Sequence, residues 1–194
     1  MEQILVKNKT FDIVEQMGSK SYKVTRKGKT FFLRKFVESS NELKEFEAKA
    51  RELKISGVSI PKLRLVDKKR NLALVDFIPG PTALDILVAQ NLDGEYYKRI
   101  FEAAWYAEHD KITLNFHPDN WVLYNGKLYY LLFDYVEGYD KEKSFDLVGL
   151  RYWFYTKELA NYIESKGLPV DKTRIKDEYA TNKEMVMCAY QYHV

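Results

Sequence analysis

The sequence predicts an α+β protein, with a small antiparallel sheet in its first half and helices in its second. Short runs rich in β-branched and aromatic residues alternate with turn signals up to Ile78, and helix-period patterns dominate after residue 82. Between them lies Pro79-Gly80-Pro81, the densest cluster of breakers in the chain. We therefore expect two lobes, an N-lobe over residues 1–78 and a C-lobe over 79–194, joined near 76–81.

In the N-lobe we predict a sheet and one helix. Ser39 with Glu42 three residues later is a capping-box pattern, so a helix is expected from there, and Gly57 can end it. The predicted strands are Phe11–Met17, Tyr22–Thr25, Thr30–Val37, Lys62–Asp67 and Asn71–Ile78. In the C-lobe the predicted helices are Thr82–Gln90, Glu95–Glu108, Ser144–Tyr155, Lys157–Lys166 and Thr173–Tyr190.

A hairpin interrupts the helices. Asn125-Gly126 is a strong two-residue turn signal, because both turn positions need positive φ. The strands predicted around it are Trp121–Tyr124 and Lys127–Phe133. Asn120 and Asp134 would then lie at the open end of the hairpin, where an amide oxygen and a carboxylate make a partial shell for Mg²⁺. The alternative is that Asn120 caps the hairpin and Asp134 starts a turn.

Composition favours a packed protein in a reducing compartment. Apolar residues make up 46% of the 194 residues, and the single Cys188 cannot form an internal disulfide. We expect Cys188 to be a buried small side chain. No apolar run is long enough to cross a membrane, and the first residues lack a secretory signal pattern. We expect a cytoplasmic protein with no membrane partner.

Charge is unevenly distributed along the chain. Residues 1–70 hold 18 Lys and Arg against 9 Asp and Glu, although the net charge of the whole chain is only +3. Such a basic half could attract phosphates or nucleic acid, and it could equally be a solvated lysine-rich surface. A nucleic-acid-associated protein is therefore one candidate function, although the chain ends in AYQYHV without a basic tail.

The order of several short motifs resembles the protein-kinase-like superfamily, in particular its small atypical members. These include aminoglycoside and choline phosphotransferases, lipopolysaccharide kinases and the minimal tRNA-complex-associated kinases. The motif Asn115-Phe116-His117-Pro118-Asp119-Asn120 resembles their catalytic loop, and Asp134-Tyr135-Val136 resembles their metal-binding motif. The stretches VDFIPGPTALDIL, ELKISGVSIPKL and KSFDLVGLRYWF resemble the hinge, the end of the regulatory helix and a later helix. The resemblance implies a two-lobe fold that binds ATP and Mg²⁺.

The resemblance also implies a role for individual residues. Asn120 and Asp134 would hold the metal, and a cation on the third strand would contact the α- and β-phosphates. Arg34 is the first candidate for that cation, and Lys35 is the alternative if the inward face of the strand is shifted by one. Glu47 would pair with the cation from the helix.

Other residues would surround the nucleotide. Gly18-Ser19-Lys20-Ser21 lies where a phosphate-covering loop belongs, although an ordinary hairpin turn has the same pattern. The backbone of Asp76, Phe77 and Ile78 would bind adenine. Asp146 would accept N–H bonds from the catalytic loop, and we expect His117 to be a packed loop residue, not a general base.

Asn115 occupies the position of the catalytic aspartate in active relatives. An amide can hydrogen-bond a hydroxyl group but cannot usefully take its proton at neutral pH. Three alternatives follow: an ATP-dependent phosphotransferase that is slow or unusual, with protein Ser/Thr as the expected acceptor; a pseudokinase-like binding module without transfer; or a deliberate Asp-to-Asn change. Because few residues follow Asp146, we do not expect a large acceptor pocket for a small molecule.

Overall fold

A computed structural model describes residues 2–38 and 41–192, and it shows a mixed α+β protein. The described residues contain one six-stranded antiparallel sheet. Its strands are β1 (Gln3–Val6), β2 (Lys9–Gly18), β3 (Ser21–Arg26), β4 (Lys29–Lys35), β5 (Leu63–Asp67) and β6 (Leu72–Asp76). Their order across the sheet is β1-β2-β3-β4-β6-β5.

Helices and short strands make up the rest of the described chain. The α-helices are α1 (Glu42–Ser56), α2 (Ala83–Ala89), α3 (Gly94–His109), α4 (Lys157–Ser165) and α5 (Glu178–Tyr192). The short strands are β7 (Ile112–Thr113), β8 (Trp121–Tyr124), β9 (Lys127–Tyr130) and β10 (Val136–Glu137).

The chain divides into two compact units. The first, here called the sheet unit, contains Met1–Glu52 and Ile60–Ile78, and the second, the helical unit, contains Leu53–Ser59 and Pro79–Val194. The last turn of α1 therefore belongs to the helical unit, although the rest of that helix belongs to the sheet unit.

One hydrophobic cluster of the sheet unit lies on one face of the sheet. Alternate residues of a strand point to opposite faces, and the buried members of this face are Val6, Phe11, Val24, Leu33, Leu72 and Leu74. On the other face, Phe36 packs against Phe46 of α1 with ring centroids 5.2 Å apart. Sheet and helix thus share an aromatic contact beside the end of β4.

The five strands predicted in the first half are all present, with shifted ends. The strand β1 was not predicted; it pairs with β2 in the register Ile4↔Phe11 and adds an edge to the sheet. Gly57 follows α1 with a φ of +91°, which confirms the expected helix end. The capping box predicted at Ser39 lies outside the described residues.

The hairpin turn of the helical unit is confirmed. Asn125 and Gly126 have φ values of +49° and +71°, and β8 pairs with β9 in the register Trp121↔Tyr130. The second strand was predicted too long, since β9 ends at Tyr130 and not at Phe133. The backbone of Phe133 has a φ of +53°, which turns the chain out of the extended conformation before Asp134.

The predicted α-helix over Ser144–Tyr155 is wrong. This segment forms turns and one 3₁₀-helix, Gly149–Tyr152. A Cβ atom at Gly149 would lie 2.8 Å from the Phe145 ring and 3.0 Å from Phe116, so packing there selects glycine and a tight backbone path. Tertiary contacts thus override the helical spacing of the apolar residues.

The other predicted helices of the second half are present. The last one begins later than predicted, at Glu178, because Lys172–Arg174 form a separate 3₁₀ turn. Cys188 on this helix is buried, as expected, and burial raises the pKa of its thiol to about 11. Across the described residues, no helix is both long enough and apolar enough to cross a membrane.

Candidate functional site

Two buried indoles hold the loop from Asn115 to Asn120 in the helical unit. Trp121 Nε1 donates to the carbonyl oxygen of Asn115 at 3.2 Å, and Trp153 Nε1 donates to that of Phe116 at 2.7 Å. Both indoles are fully buried. Two consecutive carbonyl groups of the loop are therefore fixed by the core, and the loop has a defined backbone conformation.

Asn115 and Asp134 lie next to the same end of a short β-ladder. The strand β7 pairs with β10 in the register Thr113↔Val136; Asn115 follows Thr113 by two residues, and Asp134 precedes Val136 by two. The fully buried Tyr130 links the same two residues: its hydroxyl accepts from the Asn115 N–H at 3.3 Å and donates to the Asp134 carbonyl at 2.8 Å. Burial raises the pKa of Tyr130, so the hydroxyl keeps the proton that it donates.

The Asn115 side chain is exposed and closes a local turn. Its Oδ1 accepts the His117 N–H at 3.0 Å, an arrangement typical of Asn and Asp at turns. A carboxylate oxygen could accept the same hydrogen bond and would keep a second oxygen for a ligand. In place of that second oxygen, the Asn115 amide has an NH₂ group, which donates hydrogen bonds and cannot act as a base.

Asn120 ends a single 3₁₀ turn, Pro118–Asn120, immediately before β8. Its N–H donates to the His117 carbonyl at 3.0 Å, and its own carbonyl accepts from Leu131 N–H at 2.9 Å. The residue is half-buried, and within the described chain its side-chain amide makes no hydrogen bond. The backbone is thus fixed while the amide oxygen remains available to a ligand.

Asp134 is exposed, and its Oδ1 accepts the N–H of the next residue, Tyr135, at 2.9 Å. The residue before it, the buried Phe133, has a φ of +53°, a conformation that costs a bulky side chain roughly 1–3 kcal/mol. Such local strain occurs preferentially at functional sites. It sets the direction in which the chain presents Asp134.

The described residues contain no group of three or more His, Cys, Asp or Glu side chains that could hold a metal ion by themselves. Only two residues, Asn120 and Asp134, would supply oxygen ligands from the protein. Mg²⁺ commonly takes one or two carboxylates and completes its shell with water and substrate phosphates. The pair therefore suits a metal that arrives with a phosphate-bearing ligand better than a resident metal.

Two other titratable side chains of the loop are engaged elsewhere. Asp119 accepts from Tyr162 Oη at 2.8 Å and from Lys166 Nζ at 2.9 Å. The His117 ring packs between Tyr152 and Tyr162, with centroids 4.6 and 4.4 Å away, and burial lowers the pKa of His117. Both contacts fit packing and ion pairing, and Asp119 does not replace the carboxylate that Asn115 lacks.

Asp146 was predicted to bind the N–H groups of this loop. Asp146 is exposed, and its binding to the loop stays a prediction. The loop contacts described above come from Trp121, Tyr130 and Trp153. Sequence reasoning missed these three aromatic residues. Only their place next to the motifs could have drawn attention to them, since a buried Trp or Tyr is common in any core.

In the sheet unit, the strand register places Arg34, and not Lys35, on the face of α1, which favours Arg34 as the predicted phosphate-binding cation. Leu33 pairs with Leu74 and lies in the buried core, so Arg34, which pairs with Ala73, lies on the opposite face. The Arg34 guanidinium stands 5.3 Å from the ring centroid of Phe36, the residue that packs on α1. Arg34 therefore shares the face of the helix, and Lys35 does not.

The predicted partner of that cation is different in the structure. Glu47 of α1 lies 3.5 Å from Lys68 Nζ and forms its ion pair there, not with Arg34 or Lys35. Lys68 belongs to the turn between β5 and β6, a charged segment to which the sequence assigned no role. The expectation of a Glu47–Arg34 pair is therefore wrong for this conformation.

Gly18 and Ser19 belong to a tight hairpin turn between β2 and β3. Gly18 pairs with Ser21, and a Cβ atom on Gly18 would stand 3.9 Å from the Ser21 Cβ, an ordinary contact. The Lys20 carbonyl accepts the Lys35 N–H at 2.8 Å. The turn is thus tied to the end of β4, close in the sheet to Arg34, and its backbone does not require glycine.

The segment after β6 has backbone groups available for a ligand. The Asp76 N–H donates to the Lys62 carbonyl at 3.0 Å. The Asp76 carboxylate accepts two hydrogen bonds from Arg64, at 2.6 and 2.7 Å, in a bidentate ion pair. Phe77 and Ile78 make no backbone hydrogen bonds to the described residues. Of the three residues predicted to bind adenine, two therefore retain free N–H and C=O groups.

The register leads to a prediction on the cation. We expect Arg34→Ala to weaken nucleotide binding by about 10- to 100-fold, because charge-assisted bonds to phosphate contribute roughly 1.5–3 kcal/mol. Lys35→Ala is the matched control, since it removes a neighbouring charge from the other face. The dissociation constant for ATP is measured for each variant by titration in the presence of Mg²⁺. A larger loss for Lys35→Ala would show that the strand presents its other face to the nucleotide.

Tyr130→Phe tests the link between Asn115 and Asp134. Removing the hydroxyl leaves the N–H of Asn115 and the carbonyl of Asp134 without their shared partner, so we expect a loss of about 1–3 kcal/mol in the free energy of unfolding. Urea unfolding measures it. Tyr129→Phe, on the same strand, is the control, and an equal change in the two variants would remove the structural role given to Tyr130.

Comparison of the chain with protein-family models gives no match, and comparison with curated proteins gives none either.

Proposed function

We propose that this protein binds ATP with Mg²⁺ on a protein-kinase-like fold and acts as a slow phosphotransferase toward protein Ser/Thr hydroxyl groups. One observation carries the proposal: the Tyr130 hydroxyl and the β7–β10 ladder bring the Asn115 loop and Asp134 together, and Asn120 follows in the same loop. A phosphoryl-transfer site needs this set of parts, which are metal ligands beside the residue nearest the acceptor.

Each group in the proposed site has a separate task. Asn120 and Asp134 would hold Mg²⁺, which would bridge the phosphates of ATP and offset their charge. Arg34 would contact phosphate oxygens, and the free backbone groups of Phe77 and Ile78 would pair with the adenine edge. Asn115 would hydrogen-bond the acceptor hydroxyl and orient it without removing its proton.

A second candidate is a nucleotide-binding module without transfer. It is favoured by the Asn115 side chain, whose oxygen already accepts the His117 N–H and whose remaining group is an amide donor. In this case ATP and Mg²⁺ would stabilise a conformation that a partner protein recognises. The metal site and the nucleotide contacts are the same in both candidates.

Radiolabelled ATP separates the two candidates. The protein is incubated with γ-labelled ATP and Mg²⁺, with and without a generic Ser/Thr protein substrate, and incorporated phosphate is counted against an Asp134→Ala control. Slow, Mg²⁺-dependent incorporation that the control loses is the expected result. Saturable ATP binding without incorporation would instead establish the binding module, and absence of both would refute the proposal.

A further inference from the structure

The helical unit contains a cavity of about 790 Å³ that the nucleotide site does not use. It is lined by the C-terminal end of α2, the start of α3, the segment around Trp153–Tyr155 and one side of α5. Its volume lies within the range of about 300–1,000 Å³ typical of small-molecule sites. None of Asn115, Asn120 and Asp134 lines it. Residues after Asp146 thus help to line a large cavity, but the cavity is not an acceptor pocket at Asn115, and the expectation about such a pocket stays a prediction.

Aromatic and aliphatic side chains form most of the cavity wall. Tyr97 and Phe154 pack with ring centroids 5.0 Å apart, and Tyr192 stacks on Tyr97 at 6.4 Å. The Tyr97 hydroxyl is satisfied inside the protein, because it donates to the Trp153 carbonyl at 2.9 Å. These packed rings give the cavity an aromatic wall, which suits a planar apolar body.

Arg174 supplies a charged group with unused donors. Its guanidinium stacks 3.9 Å above the ring centroid of Tyr155. Nη1 donates to the carbonyls of Leu87 and Val88 at 2.7 and 3.1 Å, and Nη2 donates to Asn91 Oδ1 at 2.9 Å. These bonds use three of the five N–H donors of an arginine. The Nε–H and one N–H of Nη2 therefore remain without a partner among the described residues.

The remaining donors of Arg174 suit an oxyanion. The N–H groups of a guanidinium form charge-assisted hydrogen bonds to the oxygens of a carboxylate, a phosphate or a sulfonate. In the described chain no carboxylate lies within 4.0 Å of the Arg174 guanidinium, whereas Lys176, also on the cavity wall, is paired with Glu184. Asp171 is close enough that the Arg174 charge, after hydrogen bonds from Thr173, helps to lower the pKa of its carboxyl group, but Asp171 does not line the cavity. Lys183 adds a further positive charge to the lining. The cavity thus has a net positive character beside aromatic walls.

We propose that this cavity is a binding site for a small organic anion with a planar aromatic body, held by Arg174. The anionic group pairs with the remaining N–H donors of Arg174, and the aromatic body lies against the wall formed by Tyr97, Phe154 and Tyr192. Trp153 lines the cavity and also donates to the Phe116 carbonyl, so the occupied cavity borders the residue that fixes the Asn115 loop.

The test uses 2-naphthoate as the probe and its uncharged amide, 2-naphthamide, as the matched ligand. Binding to the full chain is followed by probe fluorescence without nucleotide, so that the result is independent of the ATP site. We expect saturable binding of the naphthoate, with the amide at least about 10-fold weaker, since it lacks the charge-assisted bonds to Arg174. Equal affinity for the two ligands, or no saturation, would overturn the proposal.

Two variants locate the site. Arg174→Gln should weaken naphthoate binding by about 10- to 100-fold. Because Arg174 also bonds to α2, a surface variant provides a second test: Met187 is 60% exposed and lines the cavity, and Met187→Glu should repel the anion and weaken binding about 3- to 10-fold. Val186 directly precedes Met187 and does not line the cavity, so Val186→Glu should leave the affinity unchanged. Identical affinities in Met187→Glu and Val186→Glu would also overturn the proposal.

Discussion

Asn115→Asp is expected to raise the rate of phosphate transfer by about 10²–10⁴-fold, the usual contribution of a positioned general base. One oxygen of the new carboxylate can keep the hydrogen bond from the His117 N–H, and the other can take the proton of the hydroxyl group that receives the phosphate. The two side chains are almost the same size, and residue 115 is exposed, so packing should not change. ATP affinity should stay nearly constant, because this residue faces the acceptor in the proposed site.

The measurement is phosphate incorporation from γ-labelled ATP in both proteins at saturating ATP and Mg²⁺. Asn125→Asp is the matched control: it adds the same charge at the exposed turn of the neighbouring hairpin, and Asp-Gly keeps the turn type. Equal rates in Asn115→Asp and Asn125→Asp would show that residue 115 does not handle the acceptor proton. If Asn115→Asp binds ATP and transfers nothing, the binding module becomes the better account.

The second large effect concerns the metal ligands. Asp134→Ala and Asn120→Ala should each weaken Mg²⁺-dependent ATP binding by at least about 10-fold, since each removes one of the two protein oxygens proposed for the ion. Binding in EDTA should change little. The fold should survive both substitutions, because the backbone contacts of Asn120 and the Tyr130 bond to the Asp134 carbonyl do not involve the side chains that are removed.

Glu137→Ala is the control for this pair of variants. It removes an exposed carboxylate three residues after Asp134, on β10, and should leave ATP binding as in the wild type. Loss of affinity in all three variants would mean that general negative charge matters and not the two ligands. Wild-type affinity in both Asp134→Ala and Asn120→Ala would contradict the metal-site assignment.

Local sequence signals predicted those parts of the fold whose geometry they determine themselves. Asn125-Gly126 specified a turn because positive φ is needed at both positions, and Gly57 ended α1 for the same reason. The strands β4 and β6 followed from β-branched and aromatic runs. By contrast, the four-residue β1 is too short for a periodic signal, and its place comes only from pairing with β2.

The parts that the sequence did not predict depend on tertiary contacts. No sequence pattern predicts a positive φ at a phenylalanine. Phe133 nevertheless has one, and β9 ends earlier than predicted, at Tyr130. The segment before Trp153 has helical spacing but forms a 3₁₀ turn, because Gly149 packs against Phe116 and the indole reaches the loop. Glu47 pairs with Lys68, a residue distant in sequence, for which periodicity carries no information.

The candidate site was likewise predicted only in part from the sequence. The positions of Asn115, Asn120 and Asp134 along the chain were read from motifs, and the structure brings Asn115 and Asp134 together through a ladder and a tyrosine. The choice between Arg34 and Lys35 needed the strand register, which the sequence left open. The cavity beside Arg174 needed the packing of α5, since its lining comes from segments as distant in sequence as Leu87 and Tyr192.

A magnesium ion held by Asn120 and Asp134 is expected to mediate ATP binding. The decisive measurement is calorimetric titration of ATP into the wild-type protein, once with excess Mg²⁺ and once with EDTA. We expect saturable one-to-one binding with Mg²⁺ and an affinity at least about 10-fold lower in EDTA. The same dissociation constant in both solutions, or no binding in either, would show that Asn120 and Asp134 do not hold such an ion.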